Sequence, residues 1–266
     1  MTTVLERFDV LQRLSGQHNY SPAMTPVQFA DCYLHLAVPV AESRIVFIRI
    51  QQYRMGLPPA ARVEKDRLLG ALRREWARGN LLSIRPWASK SNGGEGRIMR
   101  SFNGKALPEE MILTCQLAVI TSIQAEDRVD RWASTHFGLD CSGFVNNYFV
   151  ATGRLREHRT ILAHAGPESR RIRRVEDIHP LSLLIWADQA GRVKSGPGHI
   201  AIVDHWIDRR SRRLMVVESS GSLSGLHTGL YEILADPAET RRTALWRVRR
   251  PNGQQAHVYF LPPPEA

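Results

Sequence analysis

FGLDCSGFVNNYFV, residues 137–150, decides how this chain is read. Gly138 and Asp140 are turn formers, and Asp140 is also a good N-cap. After Cys141, the apolar residues Phe144, Val145, Tyr148 and Phe149 recur at the spacing of one helix face. Gly153 suits the position just past the helix end. Cys141 therefore opens a helix. The unpaired N–H groups and the dipole of a first turn favour an anion, which for cysteine is the nucleophilic thiolate. Gly143 leaves room for a substrate chain beside it.

A cysteine nucleophile needs a base, and the base needs an orienting group. Downstream, SGPGHIAIVDHW places His199 after a Gly-Pro-Gly turn, at the start of an apolar strand over Ile200–Ile207. On such a strand His199, Ala201, Val203 and His205 share one face, and Ile200 and Ile202 share the other. His205 lies roughly 20 Å further along, so it belongs to the surface near a polar tip at Asp208–Arg213. A hairpin with Leu214–Ser219, turning between Asp208 and Arg209, pairs positions that sum to 417 and sets Glu218 opposite His199. A turn one step later sets Ser220 there. Both lie on the same strand face, so parity leaves the two open. Glu218 is the better partner, because a carboxylate both orients an imidazole and stabilises its charged form.

LDCSGFV, GHIAIV and VVES, in this order, resemble the NlpC-type cell-wall cysteine peptidases of the papain-like superfamily. The resemblance covers about residues 108 to 250. It implies an α+β fold in which the nucleophile helix packs on an antiparallel sheet. By position, Cys141 matches the nucleophile, His199 the base and Glu218 the orienting residue. The family often has histidine at the third place, so Glu218 is a departure. Asp140, Ser142, Trp132 and Ser220 are the candidates for contacting substrate. Trp132 is included as the stand-in for a tyrosine that the family carries in a Tyr-x-x-Gly-Gly segment before the cysteine, where this chain reads EDRVDRWASTHFG. The family's Pro-Gly-Asp lead into the first strand is also missing from the connection Gly153–Pro180, where Asp177-Ile178-His179-Pro180 stands instead. The implied substrate is the peptide stem of bacterial peptidoglycan, with no metal and no cofactor. An acyltransferase or transglutaminase-like enzyme with the same Cys-His pair is an alternative. A non-catalytic binding module on the same fold is another.

Composition fits these expectations. The 266 residues carry a net charge of +10, and 43% are hydrophobic, as in a globular protein whose charge is either a solvated basic surface, the reading composition alone favours, or a match to an anionic partner. Of the 36 basic residues only Lys65, Lys90, Lys105 and Lys194 are lysine. This arginine bias follows from a GC-rich genome as readily as from phosphate recognition, and no nucleic-acid motif accompanies it. Cys32, Cys115 and Cys141 are widely spaced and odd in number, which argues against structural zinc and for a free thiol. Glu6, Arg7 and Asp9 interrupt the place where a signal peptide has its apolar core. No run reaches the roughly 20 apolar residues of a membrane span. The expectation is a product made in the cytoplasm without a signal peptide. In that respect it resembles antibacterial effector toxins delivered to a target cell wall, with an immunity or delivery protein as a possible partner.

The remaining elements are read more coarsely. Residues 1–88 are expected to be a mostly helical extension. It includes a helix carrying Phe29, Cys32, Tyr33, Leu36 and Ala37, and another marked by Leu68, Leu69, Leu72, Trp76 and Ala77 that ends near Gly79-Asn80. The run Ala41–Arg54 is open between helix and strand. Residues 89–107, rich in Gly, Ser and Asn, read as a linker, and 108–250 as the peptidase domain. Gly221–Gly229 reads as a loop, Thr243–Arg249 as the final strand and 251–266 as a tail.

Overall fold

A computed structural model of the chain describes residues 20–78, 94–193, 198–237 and 244–265. They fall into two compact units. Asp31–Asp140 belong to the first; Tyr20–Ala30 and everything from Cys141 onward belong to the second. The units divide between Asp140 and Cys141 rather than at the expected boundary at residue 108. The N-terminal segment around Glu6, Gly79-Asn80 and the start of the expected linker lie outside the described residues.

In the first unit a two-stranded hairpin, β1 (Leu36–Ala41) and β2 (Arg44–Ile48), stands among helices. The helix expected to run to Ala37 stops at Leu34, as α1 (Pro26–Leu34). Pro39 cannot continue a helix. Leu36, Val38 and Val40 are all buried at a spacing of two, the period of a strand. Helix α2 (Pro59–Ala77) takes up the leucine pattern. The supposed linker holds a helix instead, α3 (Gly94–Asn103). Its Arg100 closes on Glu110 of α4 (Pro108–Ile120), a fixed charge pair that glycine and serine content does not reveal. Pro108 opens α4, and the Glu110 carboxylate accepts the Leu107 N–H at 3.1 Å, a capping arrangement. The buried Gln116 of α4 donates to the Pro39 carbonyl of β1 at 3.2 Å. Helix α5 (Val129–His136) completes the unit.

The second unit is built on six antiparallel strands closed into a barrel: β3 (Leu183–Ala187), β4 (Ile200–Asp208), β5 (Arg213–Ser220), β6 (Gly225–Ala235), β7 (Trp246–Arg249) and β8 (Gln255–Leu261). The expected antiparallel sheet is present but has no free edge. The supposed loop at Gly221–Gly229 is one 3₁₀ turn followed by the start of β6. The supposed tail supplies β8, which pairs with both β7 and β3. Its alternation, with His257 and Tyr259 on one face and Val258 and Phe260 on the other, is obscured by the PPP that follows. The interior is filled by one face of each strand, including Ala201, Val203, Val216, Trp246, Val248 and Val258. On the other face of β4 and β5, Ile200, Ile202 and Val217 are buried, and helix α6 (Cys141–Ala151) packs against these two strands. The loop after α6 carries the short helix α7 (Ile161–Ala165), capped by Thr160. Asn146 of α6 holds this loop by accepting from Arg159 N–H (2.9 Å) and His164 Nε2 (3.0 Å) and donating to the Arg159 carbonyl (2.8 Å).

The β4–β5 hairpin turns later than expected. Asp208 pairs with Arg213, so the register begins at positions summing to 421, and bulges at Asp204 and Ile207 bring it to 419 by Ile202–Val217. Each bulge adds one residue to β4 alone. The two together preserve parity, so the interior face is still that of His199 and Glu218. The bulge at Asp204 also frees its carboxylate to accept the Val27 N–H at 2.9 Å, in the first turn of α1. His205 at the neighbouring position is half exposed and bonded to Asp204.

Candidate active site

Asp140, the residue before Cys141, is tightly held within the first unit. Leu139 N–H donates to the Gln52 carbonyl, Arg54 N–H to the Leu139 carbonyl and Asp140 N–H to the Gly104 carbonyl, at 3.0, 3.0 and 3.1 Å. Gly104 has φ +84°, and a Cβ there would stand 2.1 Å from the Arg54 carbonyl oxygen, so only glycine allows these segments to cross. Asp140 was a candidate substrate contact, but its buried carboxylate is paired with Lys105 Nζ at 2.6 Å. Trp132 is corrected in the same way. It is 6% exposed, packs edge-on against Phe102 and Phe137, and donates its indole N–H to Glu64 at 3.1 Å. It is a core residue of the first unit.

Cys141, His199, Glu218 and Ser220 all lie in the second unit. Cys141 opens α6 on the outer face of the barrel and is 4% exposed. Its thiol lies 3.9 Å from the Gly198 carbonyl and is near enough to His199 to raise the imidazole pKa. His199 stands at the rim, just before β4; of the expected Gly-Pro-Gly turn, Gly196 and Pro197 lie outside the described residues. The His199 Nε2 bonds Glu218 Oε2. Glu218 is fully buried, at 0% exposure, on the interior face of β5. Continuing the 419 register would set Ser220 opposite His199, yet Glu218 makes the contact, because its longer side chain reaches diagonally to the rim. Ser220 lies one bond further away: its hydroxyl accepts from Arg250 at 3.1 Å and bonds Ser222 at 3.0 Å. Ser142 is half-buried in the first turn of α6.

Three neighbours were not foreseen from the sequence. Tyr231 of β6 donates its hydroxyl to Glu218 Oε1. Arg250, just past β7, donates from Nη2 to Glu218 Oε2 at 2.8 Å. Trp186 of β3 packs edge-on against the His199 ring, with centroids 4.4 Å apart.

The electrostatics follow from this packing. Burial opposes a charged His199, but the hydrogen bonds to Cys141 and Glu218, and the charges of both, outweigh it and hold the imidazolium up to about 9. Burial likewise pushes the Glu218 carboxyl upward, and His199, Arg250 and the Tyr231 hydroxyl overcome it, so the group is held below the usual carboxylate range. Burial, and then the Glu218 charge, raise Tyr231, which therefore acts as a neutral donor. At neutral pH His199 is therefore held as the imidazolium beside the Glu218 carboxylate.

Comparison with protein-family models, with curated proteins and with solved structures finds no match for this chain. Among the described residues no helix is long and apolar enough to cross a membrane, and no group of three or more His, Cys, Asp or Glu side chains is placed to hold a metal ion.

Proposed function

We propose that the chain is a cysteine peptidase of the NlpC type, which hydrolyses an amide bond in the peptide stems of bacterial peptidoglycan. The observation that carries this reading is the meeting of Cys141, His199 and a buried Glu218 at one rim of the barrel. The resemblance of LDCSGFV and GHIAIV to that family supplies the substrate class. The net charge of +10 suits an anionic wall, and delivery as an antibacterial effector remains part of the same proposal.

In the reaction the Cys141 thiolate attacks the carbonyl carbon of the scissile amide. The developing oxyanion is met by the Cys141 backbone N–H, which as a first-turn donor has no partner within its helix. The C–N bond breaks as His199 delivers its proton to the leaving amine, and a thioester to Cys141 remains. Water then attacks the thioester carbon, His199 takes the water's proton, and the thiolate leaves. Glu218 keeps the ring oriented and offsets its charge throughout.

Incubation of purified peptidoglycan with the parent protein and with Cys141→Ala tests this. Mass spectrometry should show stem fragments gaining the mass of one water with the parent and none with the variant. Equal digestion by Cys141→Ala would remove the nucleophile, and products joined to an amine would make the enzyme a transferase.

A further inference from the structure

Resting on the Cys141–His199 reading, we propose that Arg250 and Tyr231 are positioning residues: together they hold the Glu218 carboxylate ionised and aimed at His199, so that the proton shared between Glu218 and His199 stays on the histidine.

The geometry is a three-sided clamp. Glu218 has no exposure to water, so a charge there must be balanced by fixed partners. Its Oε1 is taken by the Tyr231 hydroxyl, and its Oε2 by both His199 and Arg250. Arg250 is itself 8% exposed, and all three of its nitrogens are used. Nε donates to the Tyr231 oxygen at 3.1 Å, Nη1 to Ser222 at 2.8 Å, and Nη2 to Glu218 and Ser220. Its guanidinium lies 5.4 Å from the centre of the Trp186 ring, whose edge meets His199. The planar fork thus fixes two of the groups that hold Glu218 and Trp186 in place, a role a flexible ammonium fills less well.

Charge accounting gives the fork its purpose. With thiolate and imidazolium formed, Cys141, His199, Glu218 and Arg250 sum to zero. Remove Arg250 and the same state leaves an uncompensated negative charge in the barrel. Without Arg250 the buried Glu218 carboxylate loses a fixed counter-charge, which favours moving the shared proton from His199 to Glu218; the net charge is unchanged, but the cation that stabilises the thiolate is gone. The groups facing this pair are Cys141 from α6, Tyr231 and His227 from β6 (His227 being the register partner of Glu218), and Arg250 beyond β7. Among them Arg250 is the permanent cation.

The test reads the thiol rather than the wall. Alkylation of Cys141 by iodoacetamide is followed by mass spectrometry from pH 5 to 10, with folding of each variant checked by near-UV circular dichroism. The parent should show a reactive plateau reaching below pH 7. Arg250→Gln should lose that plateau, with a rate at pH 6.5 at least tenfold lower. Arg250→Lys should restore most of it by returning the charge, and Tyr231→Phe should lower it several-fold. A folded Arg250→Gln with the parent's profile overturns the proposal, as does Arg250→Lys behaving like Arg250→Gln, which would make the role one of packing. If Arg250→Gln does not fold, the Tyr231→Phe profile decides, and an unchanged one overturns it. A parent without a low-pH plateau sinks the nucleophile reading itself. A plateau without wall digestion leaves the clamp standing and overturns only the substrate.

Discussion

Glu218→Gln isolates the charge at the centre of the site. The amide is isosteric, and its oxygen can still accept from His199 and Arg250. Its NH2 would face Tyr231, whose hydroxyl oxygen can accept. Shape and hydrogen-bond count are therefore nearly kept, and the carboxylate charge is lost. His199 is held up to about 9 from an ordinary 6.5; the difference corresponds to about 3 kcal/mol of preference for the imidazolium in the folded state, which Glu218 shares with Cys141. The sign follows from linkage. His199 is raised on folding, so its contribution is fully present below pH 6.5 and is lost as pH rises through about 9. Glu218 is lowered from 4.5, so its contribution is present above that value and is lost as pH falls through its folded value. The parent should thus exceed Glu218→Gln in stability most between pH 4.5 and 6.5. The pH-dependent part of the gap, on the order of 3 kcal/mol at most, should close toward pH 9.5. Urea unfolding of both proteins at pH 6 and pH 9.5 measures it. A gap of equal size at both pH values would refute the electrostatic account and reduce Glu218 to a packing residue.

Other consequences are open to simpler measurement. Burial and the charges of Arg159 and Arg170 push His164 down to about 4, so the folded state resists its protonation. Its neutral form favours folding above pH 6.5, and up to about 3 kcal/mol is lost as pH falls toward 4; His164→Gln should flatten this fall in urea midpoints taken at pH 7 and 4.5. Asn146→Ala breaks the three hydrogen bonds that tie Arg159 and His164 to α6 and should cost about 2–3 kcal/mol in the same assay. Trp132→Phe should cost about 1–2 kcal/mol through the lost bond to Glu64 and the smaller ring, with the Cys141 alkylation rate unchanged; a tenfold fall in that rate would return Trp132 to the site. Asp204→Ala removes the acceptor for Val27 at the start of α1 and should lower stability by about 1 kcal/mol, read as a drop in melting temperature.

The site was legible where local signals were strong. A turn, a cysteine and a helical apolar face are contiguous, and strand parity needs only alternation, so Cys141, His199 and the face carrying Glu218 could be named from the residues. Register was not legible, because bulges at Asp204 and Ile207 leave no mark in a run of apolar residues. Tyr231 and Arg250 were missed for a different reason. Both come beside Glu218 only when β6 and β7 join the barrel, and neither closure nor the β8 pairing is a local property. One signal did exist: Arg250 continues the inward alternation of Trp246 and Val248, and a buried arginine at a strand end requires an anion. In the first unit, glycine content concealed α3, whose stability comes from packing on α4 and the Arg100–Glu110 pair.

Closure of the barrel has a consequence for the order in which the protein assembles. Leu183 pairs with Leu261, 78 residues later, so the ladder of β3 is among the last contacts a growing chain can make. Until Gln255–Leu261 arrive, β3 and β7 each present an open edge, and Trp186 lacks its ladder partner Val258. Such long loops are slow to close. Completion of the barrel therefore waits on the last strand, and a truncated chain ending before residue 255 should leave β3 and β7 unpaired at one edge. A barrel assembled in this order closes in a single late step, once β8 is available to both β3 and β7.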